Sequence, residues 1–169
     1  MTGVQTCALP ISEKLLELDG DGKTALELGC GVGLSTLAAT SAAFDVLATD
    51  YYEDALDVTR ANVFRNLGSL ARTRLVDWRH LPANIGSFDL VFASDVLYEQ
   101  EYAALLPVLL DGLIAPGGIA LIADPGRVAT PVFLEACATQ GLVVRKKETR
   151  PFEAGEIRQA IDIYEIGHR

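Results

Sequence analysis

In Ala25-Leu26-Glu27-Leu28-Gly29-Cys30-Gly31-Val32-Gly33 an apolar run carrying one acid stops abruptly at three alternating glycines. It reads as a strand delivering a ligand loop, because glycine lets the backbone turn sharply and lets a ligand approach atoms that a side chain would cover. Residues 35–43 then read as a helix whose N-terminus can accept an anionic group. The glycine spacing narrows the ligand. A dinucleotide fingerprint is GxGxxG, and here the third glycine falls one residue too early, with Leu34 next in line.

Asp45-Val46-Leu47-Ala48-Thr49-Asp50 is a second apolar strand ending in a carboxylate, where α/β nucleotide sites use an acid to hold both ribose hydroxyls. Asp50 suits that role and equally the N-cap of a helix beginning near Glu53. Short, partly β-branched apolar runs at 24–28, 46–49, 73–76, 88–93 and 119–123 predict strands buried on both faces. Between them lie helical spacings. Leu56, Thr59, Val63 and Leu67 share a face that ends at Gly68, while Tyr102, Leu105, Leu106, Leu109 and Leu113 share another that ends before Pro116-Gly117-Gly118. This alternation predicts a Rossmann-like, doubly wound α/β sheet. A helix at 131–140 precedes two strand-like stretches, 142–148 and 157–166, with turn-prone 150–155 between them, and the pair predicts a C-terminal antiparallel hairpin.

Composition excludes several classes. The chain of 169 residues suits one domain, and half its residues are hydrophobic. A net charge of −9, with Arg145-Lys146-Lys147 the only basic cluster, argues against tracking a phosphate backbone. There is no run long enough to span a bilayer and no secretory signal, so a cytoplasmic protein is expected. Cys7, Cys30 and Cys137 lie far apart and only two histidines accompany them, which predicts neither a disulfide framework nor a metal site. No heptad or apolar stripe calls for obligate assembly, and a monomer is expected.

Residues 1–12 are a separate matter. Met1-Thr2-Gly3-Val4-Gln5-Thr6-Cys7-Ala8-Leu9-Pro10-Ile11 resembles the translation of a common sequencing-adapter oligonucleotide. On that reading 1–12 are an artefact to be left out of fold reasoning, and 13–169 are a single domain truncated at its N-terminus.

Two further motifs follow at strand ends. Asp77-Trp78 offers an acid to an adenine amino group and an indole to lie beside the base, although a lone Trp also suits a core. Ser94-Asp95-Val96-Leu97-Tyr98 places a DxxY motif directly after the fourth strand. With ELGCGVG, ATD and DW, this resembles class I, seven-strand S-adenosylmethionine-dependent methyltransferases, and within them family 16, which includes protein-lysine and nicotinamide N-methylase-like members. The resemblance covers nearly all of 23–166. It implies a seven-stranded sheet closed by the hairpin and S-adenosyl-L-methionine as cofactor. By the same carry-over Gly29, Cys30 and Gly31 cradle the methionine portion, Asp50 holds the ribose, Trp78 neighbours the adenine, and the Ser94 backbone faces the cofactor. Glu27, Gly33, Tyr51 and Asp77 complete the cofactor-binding set. Asp124-Pro125-Gly126-Arg127 is similar to a segment of members that methylate an electron-transfer flavoprotein subunit, though Pro-Gly makes a turn anywhere.

Methyl transfer from a sulfonium asks mainly for positioning, which in intramolecular models is worth up to roughly 7–11 kcal/mol. An amine acceptor adds one demand: lysine, with a free pKa of about 10.4, must lose a proton before attack. Asp95 is expected to orient the amine and Tyr98 to offer its ring or hydroxyl, with water taking the proton. Both residues also suit structural work, as a helix cap and as packing under that helix. The expected acceptor is a protein lysine. A small amine, or an inactive cofactor-binding fragment, are the alternatives.

Overall fold

The computed structural model describes residues 4–169. Met1 to Gly3, the start of the adapter-like segment, lie outside the described residues. Seven strands, β1 (Thr24–Leu28), β2 (Asp45–Asp50), β3 (Arg72–Leu75), β4 (Phe88–Ser94), β5 (Ile114–Asp124), β6 (Leu142–Ala154) and β7 (Ile157–His168), form one sheet in the order β3-β2-β1-β4-β5-β7-β6. β1 to β5 run parallel, and β7 is antiparallel to both β5 and β6, as the hairpin pattern predicts. Strand order reverses between β1 and β4, so the carboxyl ends of these two strands flank the crevice where such sheets bind ligands.

Helices α1 (Val4–Leu16), α2 (Leu34–Ser41), α3 (Glu53–Leu67), α4 (Gln100–Leu113) and α5 (Thr130–Thr139) cover the sheet. Successive strand residues point to opposite faces, and β4 shows both cores. Val91 and Ala93 pack with Leu106 and Leu110 of α4 and Phe133 of α5, while Leu90 and Phe92 pack with α1 and α2 residues. Among the described residues no helix is long and apolar enough to cross a membrane.

Helix α1 runs through the boundary placed after Ser12. Cys7, Ile11 and Leu15, spaced four apart on one stripe, are all fully buried. Lys14 bridges Glu17 and Glu148, each at 3.3 Å, and Arg150 reaches Glu17 at 2.7 Å, tying α1 to β6. The packing defines what a segment at this place supplies, an apolar stripe, and carries no information on where its sequence comes from.

Two boundaries differ from the sequence reading. β5 begins at Ile114, ahead of the expected 119, and carries Pro116-Gly117-Gly118 inside it, where its pairing with β4 shifts register between Phe88 and Leu90. A Cβ on Gly118 would stand 2.9 Å from the carbonyl oxygens of Phe88 and Asp89, so the glycine there serves close strand approach rather than a turn. The hairpin is also longer. Pairing continues to Ala154 opposite Ile157, leaving a two-residue Gly155-Glu156 turn in place of 150–155. Pro151 lies in the stretch expected to turn, but β6 is an edge strand, and a residue without an N–H is tolerated there. Because β5 pairs β7 only at Asp162–Ile166, the hairpin's far half extends past the sheet, with Phe152 and Ile161 packed in the cluster that holds Cys7 and Ile11.

Candidate active site

The loop after β1 is built by three glycines with different reasons to be glycine. All have positive φ, 77° at Gly29, 54° at Gly31 and 79° at Gly33. At Gly33 a Cβ would lie 2.7 Å from the Thr59 hydroxyl oxygen, so close packing of α3 excludes any side chain. At Gly31 a Cβ would meet nothing within 4 Å, since the residue faces open space. The backbone N–H groups of Gly29 and Cys30 both donate to the Thr49 carbonyl at 2.9 Å, fastening the loop to β2.

Asp50, at the end of β2, is buried and spans two segments. Its Oδ2 accepts from the Gly31 N–H at 2.9 Å and its Oδ1 from the Tyr52 N–H at 3.0 Å. Cys30 is buried, with the Thr59 hydroxyl 3.3 Å from its sulfur, and burial pushes its thiol up to about 12, leaving it a small inert residue.

A cavity of about 420 Å³ opens beside the loop, lined by Glu27, Gly29, Gly31, Ser94 and Asn62, with Ala8 and Leu9 of α1 at its border. Glu27 is 2% exposed and accepts a hydrogen bond from the Thr36 hydroxyl of α2. Burial, reinforced by the nearby Asp50 charge, raises its pKa to about 8 against the hydrogen bond's opposite pull. The Ser94 hydroxyl, also buried, has no hydrogen-bond partner among the described residues.

At the β2 and β3 ends, Asp77 caps the 3₁₀ turn Trp78–His80. Arg79 donates to both its oxygens at 2.9 Å, and these bonds hold the carboxyl well below the usual carboxylate range. The same guanidinium lies 5.7 Å from the centre of the Tyr51 ring, so Tyr51 and Asp77 are brought together through a residue that the sequence reading left aside. Trp78 packs on the core and meets Tyr102 of α4 edge-on at 5.6 Å.

The β4 and β5 ends form the other side. Asp95 has φ 55°, unusual outside glycine, and its N–H donates to the Ala123 carbonyl at 2.9 Å. Its side chain is 2% exposed, with both oxygens taken by Arg127, Nε to Oδ1 and Nη2 to Oδ2, each at 2.8 Å. Asp95 is therefore not a helix cap. Tyr98 is largely exposed, its ring 6.3 Å from that of Tyr102. Partial burial and the neighbouring Glu99 raise its phenol, keeping it a neutral hydroxyl.

Sequence reasoning declined to assign Arg127. The available signal was positional: it follows a strand end, as Asp95 does, and faces an acid that needs a partner if buried. Asn62 and Thr36 were missed because they lie on helices, where nothing local marks them as lining a cavity.

The strand order, the antiparallel hairpin and a glycine loop at the reversal of the sheet define the class I methyltransferase fold. Magnesium protoporphyrin IX methyltransferase from Synechocystis, solved with bound S-adenosylmethionine, superposes with a TM-score of 0.77 at 17% identity, over 96% of this chain and 78% of that one. A family model described as lysine methyltransferase matches residues 9–137, and the chain belongs to that family. It is 33% identical over 124 residues to trans-aconitate 2-methyltransferase of Methylobacterium radiotolerans, covering 70% of this chain and 45% of that protein. It is 32% identical over 115 residues to the mouse EEF1A lysine methyltransferase 3, covering 65% and 48%. The chain thus spans less than half the length of either curated relative.

Proposed function

We propose that this protein is an S-adenosylmethionine-dependent methyltransferase that methylates the side-chain nitrogen of a protein lysine. The observation that carries the reading is the crevice at the reversal of the sheet, where the glycine loop, Glu27 and Ser94, whose hydroxyl has no hydrogen-bond partner among the described residues, border one cavity, with Asp50 bonded to the Gly31 N–H of that loop. These residues fit the cofactor: Gly31 leaves open space beside a buried acid, and Glu27 supplies an acid with no cation of its own. In this reading Glu27, Gly29, Cys30, Gly31, Gly33 and Ser94 hold the methionine portion, Asp50 the ribose, and Tyr51, Asp77 and Trp78 the adenine end. The bound cofactor would supply an electrophilic methyl group on a sulfonium. The protein's own task is to hold the acceptor nitrogen in line and to exclude water. Asp95 and Tyr98, at the adjoining strand end, are assigned to the acceptor amine, with solvent taking its proton.

The family match and the likeness to a lysine methyltransferase support a protein acceptor. A net charge of −9 favours a basic acceptor segment over nucleic acid, and the reading includes a cytoplasmic monomer. A small-molecule acceptor is the second reading, favoured by the likeness to trans-aconitate 2-methyltransferase.

Isothermal titration with S-adenosylmethionine and S-adenosylhomocysteine tests the cofactor site. Micromolar binding that Asp50→Ala weakens at least a hundredfold is expected, and a folded protein that binds neither compound refutes the reading. Labelled methyl transfer to the protein fraction of a lysate, recovered as methyl-lysine after acid hydrolysis, supports the protein acceptor, and label confined to the metabolite fraction supports the small-molecule one.

A further inference from the structure

Asp95 and Arg127 raise a question that the assignment of Asp95 leaves open. A lone buried carboxylate beside the acceptor would favour the ammonium form of an amine, because an opposite charge within a few ångströms raises the amine pKa. The ammonium has no lone pair with which to attack. In this protein the carboxylate does not stand alone. Both oxygens are bonded at 2.8 Å to a guanidinium, which stays charged at any working pH.

The geometry also fixes that guanidinium in place. Asp124, fully buried at the end of β5, gathers the following loop: its Oδ2 accepts from the Gly126 N–H at 2.8 Å, the Arg127 N–H at 3.0 Å and the Thr130 hydroxyl at 2.6 Å. The Thr130 N–H donates to the Arg127 carbonyl at 3.0 Å, and Gln159 of the hairpin donates to the Pro125 carbonyl at 3.4 Å. Arg127 is thereby held at its own N–H, at its carbonyl and at its side chain, and it is a built part of the site rather than a passing contact. The groups acting on its charge are Asp95 first, then Cys7 of α1 and Asp124, all in the direction that keeps it protonated.

We propose that Arg127 is a positioning residue that makes Asp95 part of a charge-neutral pair, so that the site takes its acceptor as a neutral primary amine rather than as an ammonium. This rests on the assignment of Asp95 to the acceptor amine. The acceptor loses its proton to solvent before its lone pair forms the new N–C bond, and the pair orients the nitrogen through Asp95 without stabilising the charged form.

The test uses n-butylamine and its neutral isostere 1-butanol as probes, titrated by NMR into protein saturated with S-adenosylhomocysteine and into protein alone. In the wild type at pH 7, where only about one alkylamine in a few thousand is neutral, 1-butanol binds at least a hundredfold tighter than butylamine, and butylamine tightens at least a hundredfold as pH rises toward 10. In Arg127→Met the preference reverses, with butylammonium at least tenfold tighter than 1-butanol at pH 7. Asp95→Asn in that background removes the gain, and Arg127→Lys retains the wild-type pattern. A wild type that already prefers the ammonium tenfold at pH 7 overturns the proposal without any variant, as does a folded Arg127→Met that behaves like wild type. Binding of S-adenosylhomocysteine in the same samples reports on the methyltransferase reading separately: its absence with the amine pattern intact refutes that reading and leaves the neutral pair standing.

Discussion

Glu27 on β1 and Asp95 directly after β4 are buried carboxylates at one edge of one sheet, and they differ in whether the protein gives them a cation. Asp95 is salt-bridged through both oxygens to Arg127, whereas Glu27 is hydrogen-bonded by Thr36 with no cation beside it among the described residues, and burial holds its pKa near 8. The β1–β2 side therefore carries a charge vacancy that a cationic ligand can fill, and the β4–β5 side is compensated before any ligand arrives. A cationic cofactor and a neutral acceptor are the pairing this asymmetry suits.

The largest effect that tests the contrast is on pH. Glu27 binds its proton more tightly folded, near 8, than unfolded, near 4.5, so the folded state holds more protons between those values. Its contribution to stability is fully present below about pH 4.5 and is lost as pH rises through 8, at up to about 1.4 kcal/mol per unit and on the order of 5 kcal/mol in all. Urea unfolding from pH 5 to 9 should show this slope in the wild type and a flatter curve in Glu27→Gln. A cation bound in the cavity lowers the same pKa, so binding of the sulfonium S-adenosylmethionine near pH 7 should release a proton in wild type and not in Glu27→Gln. Titration in two buffers of different ionisation enthalpy reads that difference.

Next is the loop itself. Gly33→Ala combines a left-handed backbone, costing about 1–2 kcal/mol, with overpacking against Thr59 of about 1–3 kcal/mol. A loss of about 3–4 kcal/mol is expected in chemical denaturation, and Thr59→Ala in that background should restore only the overpacking share. On the other side, Arg127→Met strips the partner from Asp95. About 3 kcal/mol is expected, at the lower end for a broken buried pair because the guanidinium is 38% exposed. Asp95→Asn added to it should recover part of that loss, a recovery that a purely local packing effect at Arg127 would not give.

The two sides also differ in how far they were legible. The loop announces itself because its chemistry is local: a buried strand, glycines at fixed spacing and an acid on the next strand are all visible within 25–50. Strand alternation likewise predicted the sheet and its hairpin. Arg127 lies 32 residues from Asp95, and no periodicity connects them. Only the parallel pairing of β4 with β5 brings the two strand ends together. The hairpin's reach was hidden for a related reason. Pro151 and Gly155 read as one loop until the edge position of β6 makes the proline acceptable inside a strand. The cofactor-side roles proposed for Tyr51 and Asp77 depend in turn on Arg79, whose bonds to Asp77 form only once the chain turns at Trp78–His80.

The smallest expected change in stability is the sharpest probe of what the loop is for. Gly31 shares its positive φ with Gly33, yet a Cβ there meets open space, so Gly31→Ala should cost only the backbone preference, about 1 kcal/mol. The space it fills is the space assigned to the ligand, and its N–H is the one Asp50 holds. Affinity for S-adenosylhomocysteine should therefore fall tenfold or more while the unfolding midpoint barely moves, the reverse of Gly33→Ala once its lost stability is restored by lower temperature. Equal losses in both properties at both glycines would mean that the loop is a structural turn alone, and that the vacancy beside Glu27 is not where the cation goes.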